Sequence, residues 1–182
     1  MKIRFATSNP HKVAEANEAG REFGVEFEQI RVDYPEIRAE DVEDVAKDGA
    51  QYVFGKTKSA VIVEDTGLYI EALNGFPGAF SAFVHRKIGS DGILKLMDGV
   101  ENRAAKFRSA IGWRDENGVK IFSGEVEGEI NSEKRGKEGF GYDPIFVPKG
   151  QKKTFAEDFR MKNKVSHRRQ AFEKFCKWVA GA

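Results

Sequence analysis

The stretch that decides the reading of this chain is Ala60-Val61-Ile62-Val63-Glu64-Asp65-Thr66-Gly67-Leu68. A short continuous apolar run, as at 60–63, is expected of a strand covered on both faces. The abrupt change at Glu64 predicts that the strand stops there, at a carboxyl end, where α/β proteins often place ligands. Successive strand side chains point to opposite faces, so Glu64 and Asp65 are expected to have different partners. One can face a metal while the other holds the loop or orients water. Asp-Thr-Gly is also good turn chemistry, so a solvated strand-end turn is the plain alternative. The apolar run before it weighs against that alternative.

Working outward toward the N-terminus, residues 2–6 read as a buried strand. Thr7-Ser8-Asn9 offers capping side chains and Pro10 sits where a helix can begin. Val13, Ala16, Gly20 and Phe23 recur at helical spacing, which predicts a helix over 10–23 ending at Gly24. Residues 25–32 read as a second strand, broken by Pro35. Residues 41–55 carry Val42, Val45, Ala46, Gly49, Ala50 and Val53 on one helical face, and Gly55 is expected to close that helix. Asp41, Glu43 and Asp44 read as its acidic first turn.

Toward the C-terminus, residues 74–81 read as a turn-rich loop. Ser90 is expected to cap a short helix carrying Ile93, Leu94 and Met97. Residues 105–114 alternate, with Phe107, Ile111 and Trp113 on one face. Asp115-Glu116-Asn117-Gly118 is a strong hairpin signal, and 119–130 return as a strand whose Gly124 and Gly128 are expected at bulges or bends. Residues 131–143 form a glycine-containing loop and 145–147 a short strand. A final helix over about 167–179, capped by Ser166, turns Phe172, Phe175, Cys176 and Val179 inward. This order predicts an α/β fold with a mixed, partly antiparallel central sheet flanked by helices, in two lobes around a cleft.

Composition narrows the function. A length of 182 residues suits a single domain, and 40% hydrophobic with 32% charged residues suits a packed core and a soluble surface. Lys+Arg total 30 against 29 for Asp+Glu, so no global field favours a nucleic acid polymer. Cys176 stands alone, which excludes an intrachain disulfide and disfavours a thiolate metal site. Any metal is expected on carboxylates, which suits a hard cation such as Mg²⁺. Met1-Lys2-Ile3-Arg4-Phe5 lacks an apolar signal region, and no run approaches the roughly 18 apolar residues of a membrane span. The expectation is a cytoplasmic protein with no membrane partner.

Several segments suit chemistry. Thr7-Ser8-Asn9-Pro10-His11-Lys12 joins a strand to a helix, and helix N-termini present free N–H groups and a positive dipole end to phosphate. Read alone, it also fits an ordinary N-cap followed by a surface lysine. There is no Gly-x-x-x-x-Gly-Lys-Ser/Thr pattern. Gly139-Phe140-Gly141 opens like a dinucleotide fingerprint, but Asp143-Pro144 leads into a strand and the Rossmann reading is rejected. A phenylalanine between glycines can stack on a flat base, or its loop can simply plug the core. Ser166-His167-Arg168-Arg169 puts positively ionisable side chains in the first turn of a helix, which the macrodipole disfavours by roughly 0.3–1 kcal/mol each. An anion or base carbonyl can offset that, and so can solvent. Glu36 adds a carboxylate whose pairing with Asp65 cannot be deduced from spacing.

Together these segments resemble the inosine triphosphate pyrophosphatase family, over nearly the whole chain and in the family order. Thr7 to Lys12 is similar to its Thr-x-Asn-x-x-Lys phosphate motif. Glu64-Asp65-Thr66-Gly67-Leu68 resembles its acidic motif, Gly75-Phe76-Pro77-Gly78 its Gly-x-Pro-Gly loop, and Gly139 through Phe146 its most specific segment. Lys162 with Ser166-His167-Arg168 resembles the C-terminal base-recognition motif. The resemblance implies a single domain over 1–182 that hydrolyses ITP, dITP and XTP, non-standard purine triphosphates, to monophosphate and pyrophosphate, cleansing the nucleotide pool. It implies Asp65 as proton acceptor and magnesium ligand and Glu36 as the other magnesium ligand. Phosphates are expected on Thr7, Ser8, Asn9, Pro10, His11 and Lys12, assisted by Thr66. The base is expected on Phe140, Gly141, Tyr142, Asp143, Lys162, His167 and Arg168, with Phe140 stacking and Asp143 binding the edge or fixing the loop. It also implies a homodimer. Two positions depart from the pattern: Met161 stands where relatives have Glu before the lysine, and Ser8 where they often have Gly.

Overall fold

The computed structural model describes residues 1–181. The first third is built from strand–helix alternation. β1 (Lys2–Ala6) leads through Asn9, whose side chain accepts from the His11 N–H, into α1 (Pro10–Gly20). One 3₁₀ turn follows, and Gly24 closes it at φ +66°. β2 (Glu26–Ile30) returns parallel to β1. α2 (Val42–Thr57) starts on an Asp41 cap with Glu43 and Asp44 in its first turn. It runs through Gly55 rather than ending there, and stops at Lys58, itself left-handed at φ 52°.

β3 (Val61–Ile70) corrects the expected stop at Glu64. The strand continues through the acidic residues because β5 (Ala104–Asp115) pairs with it antiparallel along its whole length, from Val61↔Arg114 to Ile70↔Ala105. β5 turns at Glu116-Asn117 into β6 (Gly118–Ile130). That ladder is continuous from Asp115↔Gly118 to Ala104↔Glu129, so Gly124 and Gly128 mark no bulge. They permit close approach instead: a Cβ on Gly124 would meet the His167 carbonyl oxygen at 2.2 Å, and one on Gly128 the Val147 oxygen at 2.3 Å. β4 (Pro77–Gly78), entered through a cis Phe76-Pro77 peptide, pairs with the far end of β3. β7 (Phe146–Pro148) completes a sheet of order β2-β1-β3-β5-β6-β7 with β4 beside β3.

α3 (Ser81–Leu96) begins well before Ser90, with a break from helical geometry at Gly89. The Ser81 hydroxyl donates to the Gly78 carbonyl and accepts from the Leu68 N–H, which ties the helix start to the sheet edge. Phe80, Phe83 and Ile88 remain exposed, so no clean inward stripe announced this first half. α4 (Phe159–Val165), capped by Asp158, also lies outside the expected elements. α5 (His167–Ala180) has its Ser166 cap as expected. Among the described residues no helix is long and apolar enough to cross a membrane.

The result is a mixed α/β fold with helices on both faces of the sheet. One core packs Ile3, Phe5, Ile62 and Ile111 against Phe172 and Phe175 of α5, and another packs Val61 and Val63 against Ala50 and Val53 of α2. Removing such side chains from water stabilises by about 1.5–3 kcal/mol each. A further core at the other end of the long strands gathers Leu68, Ile70, Val84, Ile93, Met97 and Phe107.

Candidate active site

β1 pairs with β3 only as far as Ala6↔Val63, and β4 takes up that edge at Leu68↔Gly78. Between the two, Glu64 to Gly67 have no strand on one side. A backbone carbonyl left without a partner there would be costly. Lys12, at the start of α1, supplies one: its Nζ donates to the Glu64 carbonyl at 3.0 Å. The interruption opens a cleft of about 380 Å³ whose walls include Asn9, Lys12, Asp65, Thr66, Phe140, Lys162, His167 and Arg168. A second groove of about 980 Å³ lies where β5, β6 and β7 end. Its Arg103 is engaged by the Met97, Ile130 and Asn131 carbonyls, and its Lys149 by Glu127.

Strand alternation separates the adjacent carboxylates. Glu64 lies on the α5 face, fully buried. It accepts from the hydroxyls of Thr66 and Ser109 and from Arg168 Nε at 3.1 Å. Lys12 Nζ stands 2.8 Å from its Oε2, an ion pair off the line of a hydrogen bond. Burial alone would raise the Glu64 pKa, but the Arg168 and Lys12 charges and the hydrogen bonds prevail and hold it far below the usual carboxylate range. Asp65 lies on the α2 face, and its Oδ2 is buried without a hydrogen-bond partner. Burial pushes its carboxyl up to about 7; Lys12 opposes this, and the negative charges of Glu64 and Glu36 reinforce it.

At the other end of the cleft the charges form a closed set. Lys162 Nζ is 2.7 Å from both Glu15 Oε1 and Asp143 Oδ2, and Arg168 Nη1 is 2.7 Å from Glu15 Oε2. Arg168 Nη2 also donates to the Thr66 hydroxyl at 3.0 Å. Burial disfavours ionisation of Glu15 and Asp143 alike. At Glu15 the Arg168 and Lys162 charges prevail and lower its pKa, whereas at Asp143 burial prevails and raises it. Asp143 accepts from the Phe140 N–H at 2.9 Å, so in this structure it fixes the loop. Gly139, at φ +75°, makes this possible: a Cβ there would stand 2.1 Å from Asp143 Oδ2. The Phe140 ring lies 4.6 Å from Lys162 Nζ and 5.5 Å from the His11 ring.

The first turn of α5 departs from what its residue types suggest. Arg168 is removed from solvent and its charge is met by Glu15 and Glu64. His167 is no cation: burial, then Arg168 and Lys162, lower its pKa well below the usual histidine value. Its ring stacks on Phe107 at 4.6 Å and 15°, and Nδ1 is buried without a partner.

The cleft therefore gathers Asn9, Lys12, Asp65, Thr66, Phe140, Gly141, Tyr142, Asp143, Lys162, His167 and Arg168 from five separate parts of the sequence. Thr7 stands behind it, its hydroxyl accepting from the Asn9 N–H, while Ser8, Pro10 and His11 are exposed on the rim. Glu36 is exposed on the loop before α2, close enough for its charge to act on Asp65. Sequence reasoning missed Glu15, which answers what partners Lys162 now that Met161 precedes it. Its only signal was a carboxylate beside Ala16 and Ala19 on the buried side of α1. It also missed Ser81, Ala82, His85 and Arg86, which α3 contributes to the cleft.

Among the described residues no group of three or more His, Cys, Asp or Glu is arranged to hold a metal. A closed protein cage is thus excluded among them. The unpartnered Asp65 Oδ2 with Glu36 nearby fits a cation that keeps waters and takes phosphate oxygens, as Mg²⁺ does.

Residues 3–178 match the model of the Ham1 family. The chain is 49% identical over 180 residues to a dITP/XTP pyrophosphatase of Methanopyrus kandleri, covering 98% of this chain and 96% of the relative. It is also 49% identical to one of Pyrococcus horikoshii, covering 98% and 97%. Among solved structures, a HAM1 protein from Coxiella burnetii superposes with a TM-score of 0.87 at 32% identity over the full length of both chains. The Staphylococcus aureus Ham1 protein does so with a TM-score of 0.85 at 28% identity, covering 100% of this chain and 99% of that one.

Proposed function

This chain belongs to the Ham1 family, and from that premise we propose that it hydrolyses the non-standard purine triphosphates ITP, dITP and XTP to the monophosphate and pyrophosphate, cleansing the nucleotide pool. The observation that carries the reading is one cleft lined by Asp65, whose buried carboxylate oxygen has no protein partner, together with Lys12, Phe140, His167 and Arg168.

At the base end, a neutral imidazole offers one N–H and one bare nitrogen. With hydrogen on the ring nitrogen that faces the base, His167 donates to a 6-keto oxygen, and Arg168 adds an N–H not used by Glu15, Glu64 or Thr66. Inosine and xanthosine carry that keto oxygen. Adenine presents a 6-amino donor instead, which leaves buried donors unpaired and disfavours ATP. Phe140 gives the base a stacking face. Glu15 holds Lys162 and Arg168 in place and is a positioning residue.

At the phosphate end, Asn9 and Lys12 at the start of α1 and the Thr66 hydroxyl orient the triphosphate, with Thr7 bracing Asn9. Asp65 accepts a proton as water oxygen bonds to the α-phosphorus. The α–β bridging oxygen leaves with its electron pair as pyrophosphate. In the metal-free protein the Asp65 carboxyl is raised to about 7, and a cation bound to it would lower the value again. Mg²⁺, when held by Asp65 and Glu36, supplies neutralisation of phosphate charge and lowers the pKa of bound water. A homodimer and a cytoplasmic location belong to the same reading, with the exposed Phe80 and Phe83 offering apolar surface for a second copy.

The test is pyrophosphate release from ITP, XTP, dUTP, ATP and GTP with Mg²⁺. Turnover is expected with ITP and XTP well above ATP. Preference for dUTP or ATP defeats the substrate assignment, and tight ITP binding without pyrophosphate release makes the protein a nucleotide sensor instead.

A further inference from the structure

Each buried cation of the cleft is already matched by a protein carboxylate: Lys12 by Glu64, Lys162 by Glu15 and Asp143, Arg168 by Glu15 and Glu64. These pairs orient a substrate but leave little net positive charge for a triphosphate tail. Arg86 differs. It is exposed to solvent, lines the same cleft from α3, and among the described residues makes no ion pair or hydrogen bond. Ala82, one helical turn before it on the same face, is a small residue that lines the cleft with it. The α3 wall is tied to the base-stacking loop, since Tyr142 donates to the Ser81 carbonyl at 3.4 Å and His85 meets the Tyr142 ring edge-on at 4.9 Å. An arginine so mounted presents a planar fork suited to phosphate oxygens.

We propose that Arg86 binds the β- and γ-phosphates of the substrate from the α3 wall, opposite Lys12. This rests on the triphosphate pyrophosphatase reading. The contact falls on the part of the substrate that leaves, so its loss weakens binding of inorganic pyrophosphate but not of the nucleoside monophosphate.

The experiment compares wild type with Arg86→Ala, Arg86→Lys and Lys87→Ala. Lys87 is an exposed neighbour outside the cleft walls, so Lys87→Ala removes the same net charge. Arg86→Ala is expected to raise KM for ITP and the inhibition constant of inorganic pyrophosphate by about tenfold each, the scale of one charge-assisted hydrogen bond. Inhibition by inosine monophosphate and the ITP-to-ATP preference are expected to hold. Arg86→Lys should recover part of the loss, and Lys87→Ala should match wild type. Unchanged pyrophosphate inhibition in Arg86→Ala overturns the proposal, as does an equal loss in Lys87→Ala. A loss of monophosphate binding as large as that of pyrophosphate overturns it by placing Arg86 on the nucleoside. Wild type inactive on every triphosphate defeats the underlying reading, whereas active wild type with an indifferent Arg86→Ala defeats this inference alone.

Discussion

Where α1, α4 and α5 meet, Lys162, Arg168, Glu15 and Glu64 are all buried and all answer one another at 2.7–3.1 Å. Next to Glu64 on β3, Asp65 keeps a buried oxygen without a partner, and on the α3 wall of the cleft the exposed Arg86 has no carboxylate partner. The first region is complete without ligand and the second is not. Paired buried charges lose much when one member is removed, because the other is left buried and alone. They serve as framework. A buried unpaired group such as Asp65 costs stability in the empty protein, whereas the exposed Arg86 is solvated, and both are groups whose energetics a ligand can change. The contrast predicts that substitutions in the first region lower stability, and that those in the second lower turnover without lowering stability.

The largest expected effect is on turnover at the unpaired region. Asp65→Asn should lower pyrophosphate release from ITP by at least about 100-fold, the scale of a lost general base, while circular dichroism stays near wild type and thermal stability is not lowered. Near-normal release breaks the comparison at its first point.

At the paired region the expected loss is in folding. Glu15→Ala leaves Lys162 and Arg168 short of a carboxylate and should destabilise by about 3–5 kcal/mol in urea unfolding. Glu15→Gln, which keeps the shape and some hydrogen bonding, should cost less. A loss below about 1 kcal/mol in Glu15→Ala means that Glu64 and Asp143 suffice and Glu15 is no framework.

The last effect, spread over several pH units, sharpens the contrast through pH. Asp65 has a folded pKa of about 7, raised from 3.8, so the native state binds its proton more tightly than the unfolded chain does. Its contribution is fully present below pH 3.8 and is lost as pH rises through about 7. Glu64 and Glu15, with lowered values, behave oppositely: their contributions are present above the ordinary carboxylate range and fade in acid. In metal-free buffer, the stability of wild type relative to Asp65→Asn should therefore fall between about pH 4 and 7, by at most about 1.4 kcal/mol per pH unit. Parallel curves for the two proteins remove Asp65 from the set of strained groups.

The elements best read from sequence are those with their own local pattern. α2 shows its apolar face at helical spacing, the β5–β6 hairpin its turn, and α1 and α5 their Asn9 and Ser166 caps. α3 was half-read because Phe80, Phe83 and Ile88 face outward and blur its period. β3 was cut short because its polar residues looked like an end. They are a strand with one edge bare, and its partner on the other edge, β5, lies about forty residues away in sequence.

By itself the sequence determined that the chain is mixed α/β and that Glu64 and Asp65 do different work, because strand alternation is a property of the backbone and needs no partner. It also brought to notice the segments that the cleft gathers, since caps, glycine loops and acidic turns are local chemistry. Only the tertiary structure decided that Arg168 and Lys162 are buried and held by Glu15, that His167 is neutral, and that Arg86 stands free across the cleft. Those properties depend on desolvation and on contacts between residues as far apart as Glu15 and Lys162, 147 positions along the chain. Charge state and pairing in a buried site are set by what surrounds each group in space, which no local pattern encodes.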